Sequence, residues 1–421
     1  AFAPDSSDLH SHLAWAITLH PDYDAEGILA EARRWDERHG RPLRKFIRPH
    51  ANEPLPERRL RIGYVSADLR RHVVGDNLRP LLREHDRAQF EIHCYSNATS
   101  PDAQTREFQG LADAWHEIRA VGDAEAAEMI RADGIDILVD LSLHMAGNRL
   151  PVFARKPAPV QVSYLGYCGT TGLETMDYRL SDWHFDPGDT DPNDYSEKTV
   201  RLPRSYWCYE PAGSTPEVGP PPAGKAGRIT FGCLNHFGKA SPAALDSWEE
   251  ILRRAPETRF VLHAPEGSCR EMVRERFMRG GIGTDRLDFI ARCEWRQYVE
   301  TLETIDIALD PFPYGGGITT CDAIWMGVPV VSLSGRTSVG RGGRSILSNL
   351  GLRDLIAETP QGYVEIALSL AGDMSRLAEL RAGLRSRMES SPLRDAKGFA
   401  RDVEAAFRGL WRNWCEERLP T

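Results

Sequence analysis

One interruption governs what this chain can fold into. From Leu60 onward, short apolar runs alternate with amphipathic stretches of helical length. The alternation stops at "YEPAGSTPEVGPPPAGKAGR" and then starts again. Proline and glycine at that density continue neither a ladder nor a helix. Strands alternating with helices of about 10–15 residues make a parallel sheet covered on both faces, so the pattern predicts two such units joined by a linker at residues 211–227. "LRIGYVSADL", "FEIHCYS", "IDILVDLSLH", "PVQVSYLGY", "DYRLSD" and "KTVRLP" supply the first sheet. "ITFGCLN", "RFVLHA", "RLDFIA", "IDIALD" and "PVVSLSG" supply the second. The expected division is a helical segment over 1–57, a first α/β domain over 58–210, the linker, a second α/β domain over 228–395, and a C-terminal helix over 396–421. The 421 residues suit two cores better than one.

Two doubly wound sheets in tandem are expected to face each other across a cleft. Ligands bind such sheets beyond the carboxyl ends of the strands, so the loops there hold the candidates. In "DPFPYGGGITTCDAIWMGVPVV", Asp310 ends a strand and Gly315, Gly316 and Gly317 are expected to turn with positive φ. Thr319 and Thr320 are then expected in the first turn of a helix through Trp325, whose leading N–H groups and positive dipole end suit a phosphate. Asp322, one turn in, can accept from a ribose diol. A plain glycine turn with threonine caps explains the same letters. In "ITFGCLNHFGKAS", Asn235, His236 and Lys239 follow a strand, and Ser241-Pro242 reads as a helix cap. Lys239 there either neutralises a diphosphate or is a solvated lysine. In the first domain, His72 and His144 each follow a strand, as a base, as donors to a sugar hydroxyl, or as structural histidines. "YLGYCGTTG", with Gly166, Tyr167 and Thr170, either shapes the cleft floor or turns the chain.

Composition removes other classes. A formal net charge of −9 argues against a general grip on nucleic acid. No run reaches the roughly 18 apolar residues of a membrane helix, and the polar opening carries no signal peptide. A chain that opens on Ala1 is expected to be processed or cut. Eight scattered cysteines without a CxxC pair read as free cytoplasmic thiols. No Cys/His cluster has the spacing of zinc ligands. Asp189-Thr190-Asp191 is a D-x-D, but in a polar loop it reads as solvated, and no metal is expected.

The longer motifs together carry a resemblance. "RIGYVSADL", "DILVDLSLHMAGNRL", "KPAPVQVSYLGYCGTTGL", "MDYRLSD", "YSEKTVRLP", "FGCLNHFGKAS", "LDPFPYGGGITTCDAIWMGVPVV" and "LSNLGL" resemble the catalytic region of the O-GlcNAc transferase and SPINDLY family, GT41. The likeness runs from about residue 15 to the end. It implies a GT-B fold: two Rossmann-like domains, nucleotide sugar on the second and acceptor entering from the first. It also implies inversion at the anomeric carbon with no cofactor and no metal. The donor implied is UDP-GlcNAc and the acceptor a protein or peptide. Lys239 then sits on the diphosphate with Asn235 and His236 beside it, and Thr319 and Thr320 on the phosphates. Asp322 falls on the ribose, Tyr298 against the base and His72 near donor and acceptor. Gly317 and Ile318 stand where relatives often carry Thr or His-Thr, and Cys168 stands for a common proline. Residues 1–50 resemble only the helical junction that follows the family's tetratricopeptide superhelix. The competing readings are SPINDLY-type transfer of fucose from GDP-fucose, N-glucosyl transfer, a 2-epimerase on the same fold, and a nucleotide-sugar-binding regulator.

Overall fold

The structure is a computed structural model that describes residues 5–418. The outermost residues of the expected N-terminal segment and C-terminal helix, 1–4 and 419–421, lie outside the described residues. The described chain forms two compact units, divided between Glu210 and Pro211.

The first unit holds seven parallel strands: β1 Leu60–Ser66, β2 Phe90–Ser96, β3 Ala114–Glu117, β4 Ile137–Asp140, β5 Val160–Ser163, β6 Tyr178–Asp182 and β7 Lys198–Leu202. Their order is β3-β2-β1-β4-β5-β6-β7. β1 and β4 are adjacent, and there the winding reverses. Val65, Tyr95, Leu138, Leu150 and Phe153 form a core that Trp35 completes from the helix Ala25–Trp35. The N-terminal helices therefore belong to this unit. So does the helix Ala396–Glu416, with a strongly one-sided apolar face. Its Glu404 Oε1 accepts from His85 Nδ1 at 2.9 Å and from the Asp86 amide at 2.8 Å. Farther along, the Trp411 indole donates to the Leu55 carbonyl at 3.0 Å.

The second unit, Pro211–Arg394 with Leu19–Asp22, repeats the winding. Its strands are β8 Thr230–Cys233, β9 Arg259–His263, β10 Leu287–Ile290, β11 Ile307–Leu309, β12 Val330–Leu333 and β13 Ile356–Ala357, in the order β10-β9-β8-β11-β12-β13. Every pairing is parallel. Gly232 in β8 lets Ile305 pack against the strand, since a Cβ there would stand 2.8 Å from Ile305 Cγ1. The Pro/Gly run expected as a linker is packed on this unit. The Trp295 indole donates to the Ser214 carbonyl and the Trp325 indole to Thr215 Oγ1, each at 3.0 Å. It also holds one helical turn, Ala223–Ala226.

Among the described residues, no helix is long and apolar enough to cross a membrane. All eight cysteines are free, and Cys94, Cys208, Cys233, Cys321 and Cys415 are buried.

Candidate functional site

The winding of the second unit reverses between β8 and β11, and the loops after those two strands meet. Ser241 is the N-cap of the helix Pro242–Arg254, accepting from the Ala244 amide at 3.2 Å and donating to the Phe312 carbonyl at 2.5 Å. That cap fixes the end of the loop carrying Lys239. Lys239 Nζ donates to the Gly315 carbonyl at 2.9 Å and lies 4.0 Å from the centroid of the Tyr314 ring. Its ammonium is thus held at the glycine loop by one hydrogen bond and a cation–π contact. Asn235 is buried, and its Oδ1 accepts from Thr319 Oγ1 at 2.6 Å. His236 is exposed and caps the turn Phe237–Lys239, accepting at Nδ1 from the Gly238 amide.

Gly317 is the N-cap of the helix Ile318–Trp325, so Ile318, Thr319 and Thr320 form its first turn. The expectation of positive φ through Gly315–Gly317 is corrected. Gly317 has φ −136°, and neither Gly315 nor Gly316 is left-handed. Glycine is needed at 316 for space instead. A Cβ there would stand 2.5 Å from Asp310 Oδ1 and closer still to Thr320 Oγ1. Thr320 is buried, and its hydroxyl donates to Asp310 Oδ1 and Oδ2 at 2.9 and 3.1 Å. Its hydroxyl therefore orders the loop. Thr319, partly exposed, is the threonine presented at the helix mouth. Burial pushes the Asp310 carboxyl up to about 6, opposed by the Thr320 hydroxyl and the Lys239 charge. Asp322 is buried one turn on, beside Tyr298, whose phenol is pushed well above its usual range by burial and by that carboxylate.

The structure thus brings Asn235, His236, Lys239, Gly317, Ile318, Thr319 and Thr320 to one place, with Asp322 and Tyr298 paired behind the helix mouth. Sequence reasoning missed three neighbours. Tyr314 holds Lys239, and Asp310 is a buried carboxyl as well as a strand end. His263, which closes β9, sets Nδ1 3.2 Å from the Asn235 carbonyl. A histidine at a strand's carboxyl end was the available signal for the last.

In the first unit, the candidates follow β1 and β4. His72 is the N-cap of the helix Val73–Glu84, with Nδ1 3.3 Å from the Val74 amide and 3.4 Å from Asp68 Oδ2. His144 is corrected. It is fully buried, its Nε2 donating to the Thr171 carbonyl at 2.8 Å and its Nδ1 3.3 Å from Ser11 Oγ. Burial holds it down at about 4, so it is a neutral packing residue with no ring nitrogen left for a sugar. Thr170 is likewise buried, donating to Glu197 Oε2 at 2.7 Å. Gly166 has φ 52° and Tyr167 is buried, so this loop turns the chain around a packed ring. Asp191 caps the turn Pro192–Asp194 in an exposed loop. A cavity of about 830 Å³ lined by Arg48, Arg58, Arg61, Arg131 and Asp136 opens at the amino ends of the strands and contains none of the candidates.

The profile of glycosyl transferase family 41 matches residues 43–212 and 225–403. The tomato (Solanum lycopersicum) protein named probable UDP-N-acetylglucosamine–peptide N-acetylglucosaminyltransferase SPINDLY is 37% identical over 433 residues, covering 99% of this chain and 46% of its own length. The Arabidopsis thaliana protein of the same activity name, SEC, is 28% identical over 373 residues, 86% of this chain and 38% of its own. The chain spans about half the length of the curated relatives it matches. Among solved structures, a mutant O-GlcNAc transferase from Thermobaculum terrenum superposes with a TM-score of 0.92 at 38% identity, covering 99% of this chain and 80% of that one.

Proposed function

Because the chain belongs to glycosyl transferase family 41, we propose that it transfers N-acetylglucosamine from UDP-GlcNAc to a serine or threonine hydroxyl of a protein or peptide. The observation that carries the proposal is the meeting of Lys239, Asn235 and Thr319 at the mouth of the helix Ile318–Trp325, on the switch point of the second sheet. In this reading the diphosphate sits at that mouth. Helix N–H groups donate to it, the Thr319 hydroxyl turns its one proton from Asn235 to a phosphate oxygen, and Lys239 neutralises the charge that grows as the sugar leaves. Asp322 takes the ribose and Tyr298 borders the base. The acceptor oxygen attacks opposite the leaving diphosphate, inverting the anomeric carbon, and His72 takes its proton. Lys239 and the helix dipole do here what a bound cation does elsewhere, so the transfer proceeds without a metal. Free cysteines fit a cytoplasmic setting.

The second reading is transfer of fucose from GDP-fucose, as the likeness to SPINDLY-type enzymes allows. The relatives named SPINDLY and SEC both bear the N-acetylglucosaminyltransferase name, which supports the first reading. One panel separates the readings. UDP-GlcNAc, UDP, GDP-fucose and GDP are each tested for a rise in Tm, and the two nucleotide sugars for release of nucleotide with an acceptor peptide. Stabilisation by UDP and release from UDP-GlcNAc are expected. Release from GDP-fucose alone supports the second reading. Binding without any release leaves a regulator and ends the enzymatic proposal.

A further inference from the structure

A second cluster of ligating side chains lies at the edge of the first sheet and includes none of the candidate site residues above. β3 is the edge strand, paired only to β2, with His116 opposite Tyr95 and Ala114 opposite His93. Asp133 closes the helix Asp123–Ala132. His93, His116 and Asp133 each bring one ligand atom to within 4.8 Å of the other two, the one such group of three among the described residues. His116 Nε2 is 3.1 Å from Asp133 Oδ2, and His93 Nδ1 is 4.0 Å from it.

The protonation pattern is set from outside. His93 Nε2 lies 2.9 Å from Glu91 Oε1, and a carboxylate can only accept there, so the proton of a neutral His93 sits on Nε2. Its Nδ1 then carries a lone pair toward the cluster. That atom is buried in a residue 6% exposed and has no hydrogen-bond partner. Such an orphan is costly unless something fills it. The Tyr95 hydroxyl donates to Asp133 Oδ2 at 2.5 Å, and its ring stacks on His116 with centroids 4.8 Å apart. Each ligating group is thus held by a neighbour, the outer support that ligands in metal sites receive.

We infer that His93, His116 and Asp133 bind one divalent cation of the zinc class. Two imidazoles and one carboxylate suit zinc or cobalt, whereas magnesium and calcium favour oxygen alone. Tetrahedral ligands at about 2 Å from a metal stand roughly 3.3 Å apart, within the range these atoms span. The His116 and Asp133 side chains are 23% and 24% exposed, so water can supply the fourth ligand. The cation ties the four-residue edge strand β3 to β2 and to the end of a helix. It thereby guards an open sheet edge against pairing with another chain. No step of the proposed transfer uses it. The spacing rule that excludes zinc from the sequence looks along the chain, whereas these ligands meet across strands.

The test uses the full chain stripped with a chelator and titrated with Co²⁺, then with Zn²⁺. One saturable equivalent is expected, with the visible bands of four-coordinate cobalt and a rise in Tm on adding zinc. Both should vanish in His116→Ala, a partly exposed position that tolerates change, and in Asp133→Asn. Glu91→Gln should weaken cobalt binding on the order of 10–100-fold. Absence of a saturable equivalent in the unaltered chain overturns the inference, and so does equal binding by folded His116→Ala. UDP binding by the stripped chain is measured alongside. Its loss on stripping both the unaltered chain and His116→Ala would assign the metal to the nucleotide site instead and overturn the inference.

Discussion

The Thr319 hydroxyl donates to the Asn235 side-chain oxygen at 2.6 Å, joining the loop after β8 to the first turn of the helix after β11. Two loops 84 positions apart are thereby held in one register. Lys239 makes a second tie between the same loops through the Gly315 carbonyl.

The Thr319–Asn235 bond predicts an asymmetric result. Thr319→Val keeps the shape and removes the hydroxyl, so UDP affinity should fall about tenfold, or ~1.4 kcal/mol. Thr319→Ser should bind as the unaltered chain does. Titration calorimetry with UDP reads both. Equal affinity in all three would place Thr319 outside the nucleotide site.

Lys239→Ala should lower turnover by roughly 10²–10³, because it removes the cation facing the leaving diphosphate. The fold should persist with a loss of about 1 kcal/mol, since the Gly315 carbonyl loses its donor. Lys239→Arg should restore charge without full activity, because a planar guanidinium cannot reproduce a point donor resting on Tyr314. Nucleotide release and Tm are measured together. Near-normal turnover in folded Lys239→Ala would end its assignment as the diphosphate clamp.

His144 predicts a pH dependence. In the unfolded chain its imidazole gains a proton near 6.5, while burial holds the folded one down at about 4. The unfolded state therefore binds more protons between those values. The stability from a neutral His144 is present above pH 6.5 and is lost as pH falls toward 4, up to roughly 3 kcal/mol. Urea melts at pH 7.5, 6 and 5 should show a flatter decline in His144→Gln than in the unaltered chain. Parallel declines would contradict a buried neutral histidine. UDP affinity should be the same in both.

The alternation of apolar runs and helices carried the architecture because buried parallel strands need continuous hydrophobic side chains. β3 and β13 escaped that reading. "AWHE" alternates no apolar face and Ile356–Ala357 is two residues long, as edge strands often are. The glycine loop was legible as a site, but its conformation was not. "GGG" suggests left-handed backbone, whereas the space at Gly316 is claimed by Asp310 and Thr320, which only the folded chain brings there. His144 and His72 look alike in sequence, each a histidine after a strand. Burial separates them, and burial depends on Trp35 and Ser11 from the N-terminal helices.

His72 holds two roles that substitution can separate. Its Nδ1 lies 3.3 Å from the Val74 amide, so a neutral ring caps the helix Val73–Glu84 by accepting there. That leaves Nε2 carrying the proton, and Nδ1 is the basic nitrogen of the ring. Asp68 Oδ2, 3.4 Å from Nδ1, favours a proton on that same atom, which a base must gain. Capping and proton uptake therefore compete for one nitrogen. His72→Ala removes both functions, and should cost about 1 kcal/mol of stability through the lost cap together with most of the turnover. His72→Asn keeps an oxygen that caps well but cannot take up a proton at neutral pH. It should recover the stability and leave turnover low, with UDP affinity close to that of the unaltered chain. Recovery of turnover together with stability would mean that His72 serves transfer only by holding its helix. Loss of UDP affinity in both variants would instead make it an orienting contact to the nucleotide sugar. Urea melts, UDP titration and nucleotide release on the same two variants distinguish the three outcomes.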